Sequence, residues 1–359
     1  MIATASSPPL TFSRMRAVSK DILYIAAVPD GNEVGSAFTR LCQYNNGDWS
    51  FRNYDFSTES LALFKAPSVE FRVMYILSGS GEVRNVDDEY AREYTVTPEQ
   101  VSDFKRKYRM GRSLNMRQIG DRLYVVGDGG QNFRREADGL WSPLDTSIFD
   151  PYASSDWAEE ALDPAGGWDK LFKLFEENTS EATEFRRKGE LRARNTMLTR
   201  VYGLSEDDIY LCGAKGAFFH WNGSVMRKIA GDFSESLTGI VAESHSKVWV
   251  CGRGGLLMVG NADEGFRIIS NAGIHAFSSI AIFDRIIYLS SISQPRDLFM
   301  YDGKHFQRVH SSLTPGIEDV SQIDAVDGAL WVMGQKDILR FDGTQWERIQ
   351  HPENPPIGR

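Results

Sequence analysis

The sequence predicts an all-β fold, a seven-bladed β-propeller whose blades are four-stranded antiparallel sheets. Three observations predict it. An apolar run containing an aromatic residue recurs at a spacing of roughly 40 residues, the period of a four-stranded blade. A glycine-rich turn follows the run. A second β-like run then leads to Asn-Gly or Asp-Gly and a further aromatic. The clearest copies lie at 209–223, 248–259 and 330–346, and looser ones surround Tyr24, Tyr75, Tyr124 and Tyr288.

Residues 198–229 justify the elements in order. L-T-R-V-Y-G-L alternates as an inner strand, and S-E-D-D is a polar turn. I-Y-L-C-G is the second strand, A-K-G a tight turn, and A-F-F-H-W the third strand. Asn222-Gly223 is a two-residue hairpin signal, because both residues accept positive φ. V-M-R-K-I is the fourth strand, and the next unit starts at Leu237. The same frame places second-strand aromatics at Tyr24, Tyr75, Tyr124, Tyr210, Trp249, Tyr288 and Trp331. It places hairpin glycines at Gly47, Gly139, Gly223, Gly265, Gly303 and Gly343. The second unit carries Asp87-Asp88-Glu89 instead, so six blades remain an alternative count. The first unit, Met15 to about Tyr54, already holds four strands, and the last ends on its own fourth strand at 346–349. The ring is therefore expected to close by packing, without a strand lent across the seam. Residues 1–359 are expected to form one propeller domain.

Two insertions break the repeat. Residues 97–112, between the second and third blades, begin with Thr97 as a helix N-cap and Pro98 at the first helical position. A basic helix through Lys105, Arg106, Lys107 and Arg109 follows. Residues 146–196, between the third and fourth blades, place Trp168, Leu171, Phe172 and Phe175 on one helical face. That insertion has an acidic first limb and a basic second one. Both leave the same face of the ring and flank the third blade, so a raised wall for a partner, or a self-paired cap, is expected there.

The bulk composition bounds the function. The chain has 359 residues, 42% of them hydrophobic, and a formal net charge of -9. That charge disfavours a general nucleic-acid binder, which needs a basic surface, and would steer a basic partner inward. Three cysteines form an odd set. Cys212 and Cys251 fall at equivalent places in successive repeats and read as small buried hydrophobes. The start lacks the apolar core of a signal peptide, and no stretch of about 18 apolar residues suggests a membrane span. A cytoplasmic, thiol-reducing compartment is the expectation.

No catalytic or metal motif emerges. The six histidines are scattered, and the Gly pairs at 127–130 and 252–255 read as turns because no Lys-Ser/Thr follows them. Asp87-Asp88 and Asp207-Asp208 are paired carboxylates at expected turns. The inner strands are read as M-R-A-V, F-R-V-M, M-R-Q-I, T-R-V-Y, G-I-V-A, S-I-A-I and S-Q-I-D. Arg16, Arg72, Arg117 and Arg200 recur there and are candidates to line the central channel, where they would attract an anion or an acidic peptide.

Tyr124-Val125-Val126-Gly127, Gly129-Gly130 and Asp138-Gly139-Leu140-Trp141 follow an aromatic-Val-Gly, Gly-turn, Asp-Gly-x-x-Trp order. In this the chain resembles seven-bladed propellers of the photosystem-assembly-factor and BNR-repeat type, and more distantly WD40 repeats. The sialidase Asp-box is not met, its nearest string being residues 341–346, and the WD40 Trp-Asp dipeptide is absent from the ends of the third strands. The resemblance therefore implies a fold and no chemistry. Acidic charge, irregular repeats, helical inserts and the lack of a catalytic signature also resemble stand-alone bacterial propellers that act as immunity partners of secreted toxins. That implies a non-enzymatic antitoxin that occludes its toxin, a basic toxin domain as partner, and no cofactor. The expected contact residues are Trp157, Glu159, Glu160, Asp163, Glu176 and Glu177, with Arg106 and Arg109 beside them, an aromatic centre among charges. The alternatives are a propeller hydrolase or lyase with dispersed catalytic residues, and an adaptor or assembly factor, one form of which would bind nucleic acid or lipid through the basic helix.

Overall fold

A computed structural model describes residues 8–32, 37–67, 69–88, 90–97, 100, 110–149, 180, 183, 196–271 and 273–356. Among them are twenty-eight strands, β1 to β28 in chain order, grouped four to a sheet in seven antiparallel meanders. The inner strands are β1 (Leu10–Ala17), β5 (Thr58–Phe64), β9 (Ser113–Ile119), β13 (Leu198–Ser205), β17 (Leu237–Ser244), β21 (Phe277–Phe283) and β25 (Gln322–Val326). The second strands are β2 (Ile22–Pro29), β6 (Val73–Ser78), β10 (Arg122–Gly127), β14 (Asp208–Gly213), β18 (Lys247–Gly252), β22 (Ile286–Ser291) and β26 (Ala329–Met333). The seven-bladed expectation holds, including the second blade.

The core is not one volume but seven wedges, one between each pair of neighbouring blades. Strand alternation builds them, because successive side chains leave a strand on opposite faces. In β14, Ile209 and Leu211 pack towards blade 3, while Tyr210 and Cys212 pack towards blade 5. In β26, Leu330 and Val332 face blade 6, and Trp331 and Met333 face blade 1. The second-strand aromatic always enters the wedge shared with the following blade. It therefore cements blades together, which explains why it recurs.

The turns follow the same logic. All six hairpin glycines have positive φ, from 84° at Gly139 to 103° at Gly47. The turns after β10, β14 and β18 end on Gly130, Gly216 and Gly255, with φ of 73°, 67° and 68°. Their amides donate to the carbonyls of Thr196, Glu235 and His275, each two residues ahead of the next inner strand. A Cβ on Gly130 would lie 1.9 Å from the Ile148 carbonyl oxygen, so the close approach requires glycine there.

The ring closes without an exchanged strand, and the first and last sheets are each complete. Packing is reinforced by hydrogen bonds across the seam. Gln322 accepts from the Met15 amide (2.9 Å) and donates to its carbonyl (2.8 Å). The Trp331 indole donates to the Ser19 carbonyl (3.1 Å). The segment after β28 (Trp346–Arg348) then folds back over blade 1. Asn354 pairs with both backbone groups of Leu10, and Glu353 bridges Arg40 at 2.8 Å. His351 is buried among Phe12, Trp49 and Phe51. This clasp was not anticipated from the sequence.

Most of both insertions lies outside the described residues. The start of the first is described: Thr97 and Gln100 exchange side-chain to backbone bonds, a reciprocal capping arrangement at the expected N-cap. Among the described residues, no helix is long and apolar enough to cross a membrane.

Candidate functional site: an arginine-lined central channel

The seven inner strands surround a cavity of about 290 Å³ on the ring axis. Strand register sets two levels of inner-strand residues around the ring axis, and at the level of Arg16 the cavity is lined by Arg16, Arg117 and Asp324. The residue paired with each second-strand aromatic is, in order, Arg16, Ala62, Arg117, Tyr202, Val241, Ala281 and Asp324. One step of alternation earlier come Arg14, Ser60, Asn115, Arg200, Gly239, Ser279 and Gln322. Two residues of strand rise separate these levels, about 7 Å.

Much of the first level is committed to structure. An inner strand is an edge strand, with unpaired amides and carbonyls that need partners. Ser60 accepts from the Met116 amide, Asn115 from Val201, and Ser279 from Ile323. Arg14 donates to the Glu59 carbonyl at 2.6 Å. These side chains stitch blade 1 to 2, 2 to 3, 3 to 4 and 6 to 7.

The charges form two like-signed pairs, each half neutralised. Arg14 meets the buried Glu59 carboxylate at 3.2 Å, and Arg112 also reaches Glu59. Arg200, at the same level, donates to the Thr199 and Ser278 carbonyls but to no carboxylate among the described residues. At the second level Arg16 meets Asp324 at 3.4 Å. The Arg117 guanidinium makes no hydrogen bond or ion pair among the described residues, and it lies over the Tyr202 ring at 4.2 Å. Burial and the charge of Arg16 lower the Arg117 pKa to about 10, which still leaves it charged at neutral pH. Burial, then the charge of Arg14, lowers that of Arg200. The Arg16 Nε is buried with no partner among the described residues.

Three of the four arginines read from sequence therefore line the channel. Arg72 does not. Residues 71 and 72 lead into β6, which takes up Val73 and Met74, and the Arg72 guanidinium donates to the Val18 carbonyl outside the lumen. The inner strand of blade 2 is β5, which brings Glu59 rather than an arginine. The sequence reading missed Arg14, Glu59 and Asp324. Asp324 carried a signal, because it stands in β25 two residues before the strand end, at the level of Arg16.

The paired carboxylates sit away from the channel. Asp88 accepts the Tyr90 and Ala91 amides of its own turn. Asp207 is held by Ser205, while Asp208 turns the other way to bridge His220 (2.9 Å) and His245 (2.5 Å). Among the described residues, no group of three or more His, Cys, Asp or Glu is arranged to hold a metal. Trp157, Glu159, Glu160, Asp163, Glu176, Glu177, Arg106 and Arg109 all lie outside the described residues.

Comparison with known proteins places this geometry. The chain is 29% identical over 152 residues to the immune protein Tsi7 of Pseudomonas aeruginosa. The match takes in 42% of this chain and 47% of that protein, so it spans about half of the relative's length. No family profile matches the chain. YCF48 bound to a D1 peptide superposes with a TM-score of 0.58 at 13% identity, covering 96% of this chain and 95% of that one. The WD40 propeller domain of Doa1 gives 0.57 at 10% identity, covering 94% of each. At such identities these two likenesses concern the fold alone.

Proposed function

We propose that this protein is a non-enzymatic, protein-binding propeller that neutralises a toxin in the cytoplasm by occluding it. The observation that carries the reading is the partial likeness to an immune protein, at 29% identity over 152 residues. The channel is consistent with it. Many of its lining polar groups are spent on joining blades. The net charge of -9 favours capture of a basic toxin domain. The contact surface belongs on the face carrying the insertions, with Trp157 as its aromatic centre and Glu159, Glu160, Asp163, Glu176, Glu177, Arg106 and Arg109 around it.

The test is co-purification with the product of any toxin gene adjacent to this one in its native host, followed by a toxicity assay. A stoichiometric complex that abolishes toxicity, with both chains chemically unchanged, is expected. Deleting 150–195 should leave a folded ring that has lost the complex. Full-strength binding by that deletion would move the contact surface elsewhere. Turnover of a glycan or phosphoester by the purified protein would overturn the non-enzymatic reading.

A further inference from the structure

The two levels of the channel are not equivalent in what they leave free. At the Arg14 level, Glu59 is shared by two guanidiniums, and Arg200 is already held by two carbonyls. At the Arg16 level, Asp324 pairs with Arg16 and leaves Arg117 without a carboxylate partner among the described residues. Asp324 also accepts the Ala17 and Ala325 amides, so its own capacity is largely spent. Arg117 retains its full set of N–H donors, and Arg16 keeps a buried Nε without a partner among the described residues. The buried Arg16 Nε, left without an acceptor, is costly, more so as part of a cation, while the Arg117 donors stay open to the lumen. Tyr202 holds the Arg117 guanidinium from one side by its ring face, fixing a planar fork of donors in the lumen.

We propose that the channel, at the level of Arg16 and Arg117, is a binding site for a small oxyanion, a phosphate or a carboxylate. A planar guanidinium matches both groups through paired N–H donors. The cavity, about 290 Å³, is at the lower limit of ligand pockets, roughly 300 Å³, which suits a small anion with some water rather than a larger ligand. Tyr202 is a positioning residue here, and Asp324 is a competitor that occupies Arg16. The site does not depend on the toxin-binding reading, because its residues belong to the inner strands and the proposed contact surface to the insertions.

The experiment is calorimetric titration of the whole chain, with inorganic phosphate in one arm and succinate in the other, at constant ionic strength set with sodium chloride. Saturable binding of one or both is expected, and the arm that binds tighter identifies the oxyanion. Arg117→Gln should weaken binding at least about tenfold, the worth of a charge-assisted bond in a confined site. Asp324→Asn should tighten it several-fold by releasing Arg16. Lys228→Gln, an exposed change on the outer strand β16 (Met226–Lys228), should leave it unchanged. Arg117→Gln removes no ion pair, and its melting temperature without anion should match or exceed that of the unaltered protein. The proposal is overturned if neither anion binds saturably, if Arg117→Gln binds as before, or if Lys228→Gln weakens binding as much. Should Arg117→Gln fail to fold, unchanged or weaker binding by Asp324→Asn overturns it in the same way.

Discussion

Acidification should open the seam through His351. The imidazole is 2% exposed, with rings of Trp49, Phe12 and Phe51 at 4.5, 5.5 and 5.6 Å. Burial first, then the nearby Arg40 charge, lowers its pKa to about 4. The geometry agrees, since Nδ1 accepts the Glu353 amide (3.2 Å) and a proton placed there would face another donor. Because the folded value lies below the unfolded one, protons bind preferentially to the unfolded chain. The stability is complete above about pH 6.5 and is lost as pH falls towards about 4, a loss of about 3 kcal/mol over some two and a half pKa units. The assay is urea unfolding from pH 7.5 to 4, followed by Trp fluorescence and far-ultraviolet circular dichroism, for the unaltered protein and for His351→Phe. Phenylalanine keeps the aromatic packing and removes the titration. The difference between the two curves should be flat above pH 6.5 and should change by about 3 kcal/mol by pH 4. A difference that stays constant across that range would show that His351 does not titrate abnormally, and that the clasp is not what acid attacks.

Further outcomes follow from the wedges. Trp331→Ala should cost about 3–5 kcal/mol, since the residue is fully buried between blades 7 and 1. Trp331→Phe, which loses the indole bond to Ser19, should cost about 1 kcal/mol or somewhat more. Trp249→Ala should also fall at about 3–5 kcal/mol, its indole bond to Glu243 lying within its own blade. Less than about half a kilocalorie at either site would remove that aromatic from the core. Cys212 and Cys251 are buried, and burial pushes the Cys251 thiol up to about 12 and that of Cys212 higher still. Both should resist iodoacetamide at pH 8 until the chain unfolds, and rapid native-state labelling of both would contradict their placement.

The sequence was most readable where structure is local. A second-strand aromatic or a hairpin glycine answers to a constraint within a few residues, alternation in one case and positive φ in the other, and such constraints leave a pattern in one dimension. That is why the blade count and all seven aromatics could be placed. The frame slipped where two β-like strings competed, in the second blade. F-R-V-M at 71–74 alternates as well as β5 does, and its arginine matched those of the neighbouring units, so Arg72 was drawn into the channel in place of Glu59.

The channel itself could not be read locally. Its lining comes from seven strands separated by 30 to 80 residues or so, and whether an arginine there is free depends on which acid closes on it. Arg16 and Asp324 stand at opposite ends of the chain and meet because the ring closes between β1 and β25. Arg117 has a similar place in its own strand, yet Tyr202 from the next blade gives it a ring face instead of a charge. The clasp at 349–356 has the same origin, since Asn354 and His351 find their partners at Leu10 and Phe12, more than 330 residues away. Periodicity along the chain determined that there would be blades and how many. Closure of the ring decided which charges are paired, because only closure brings distant inner strands around one axis.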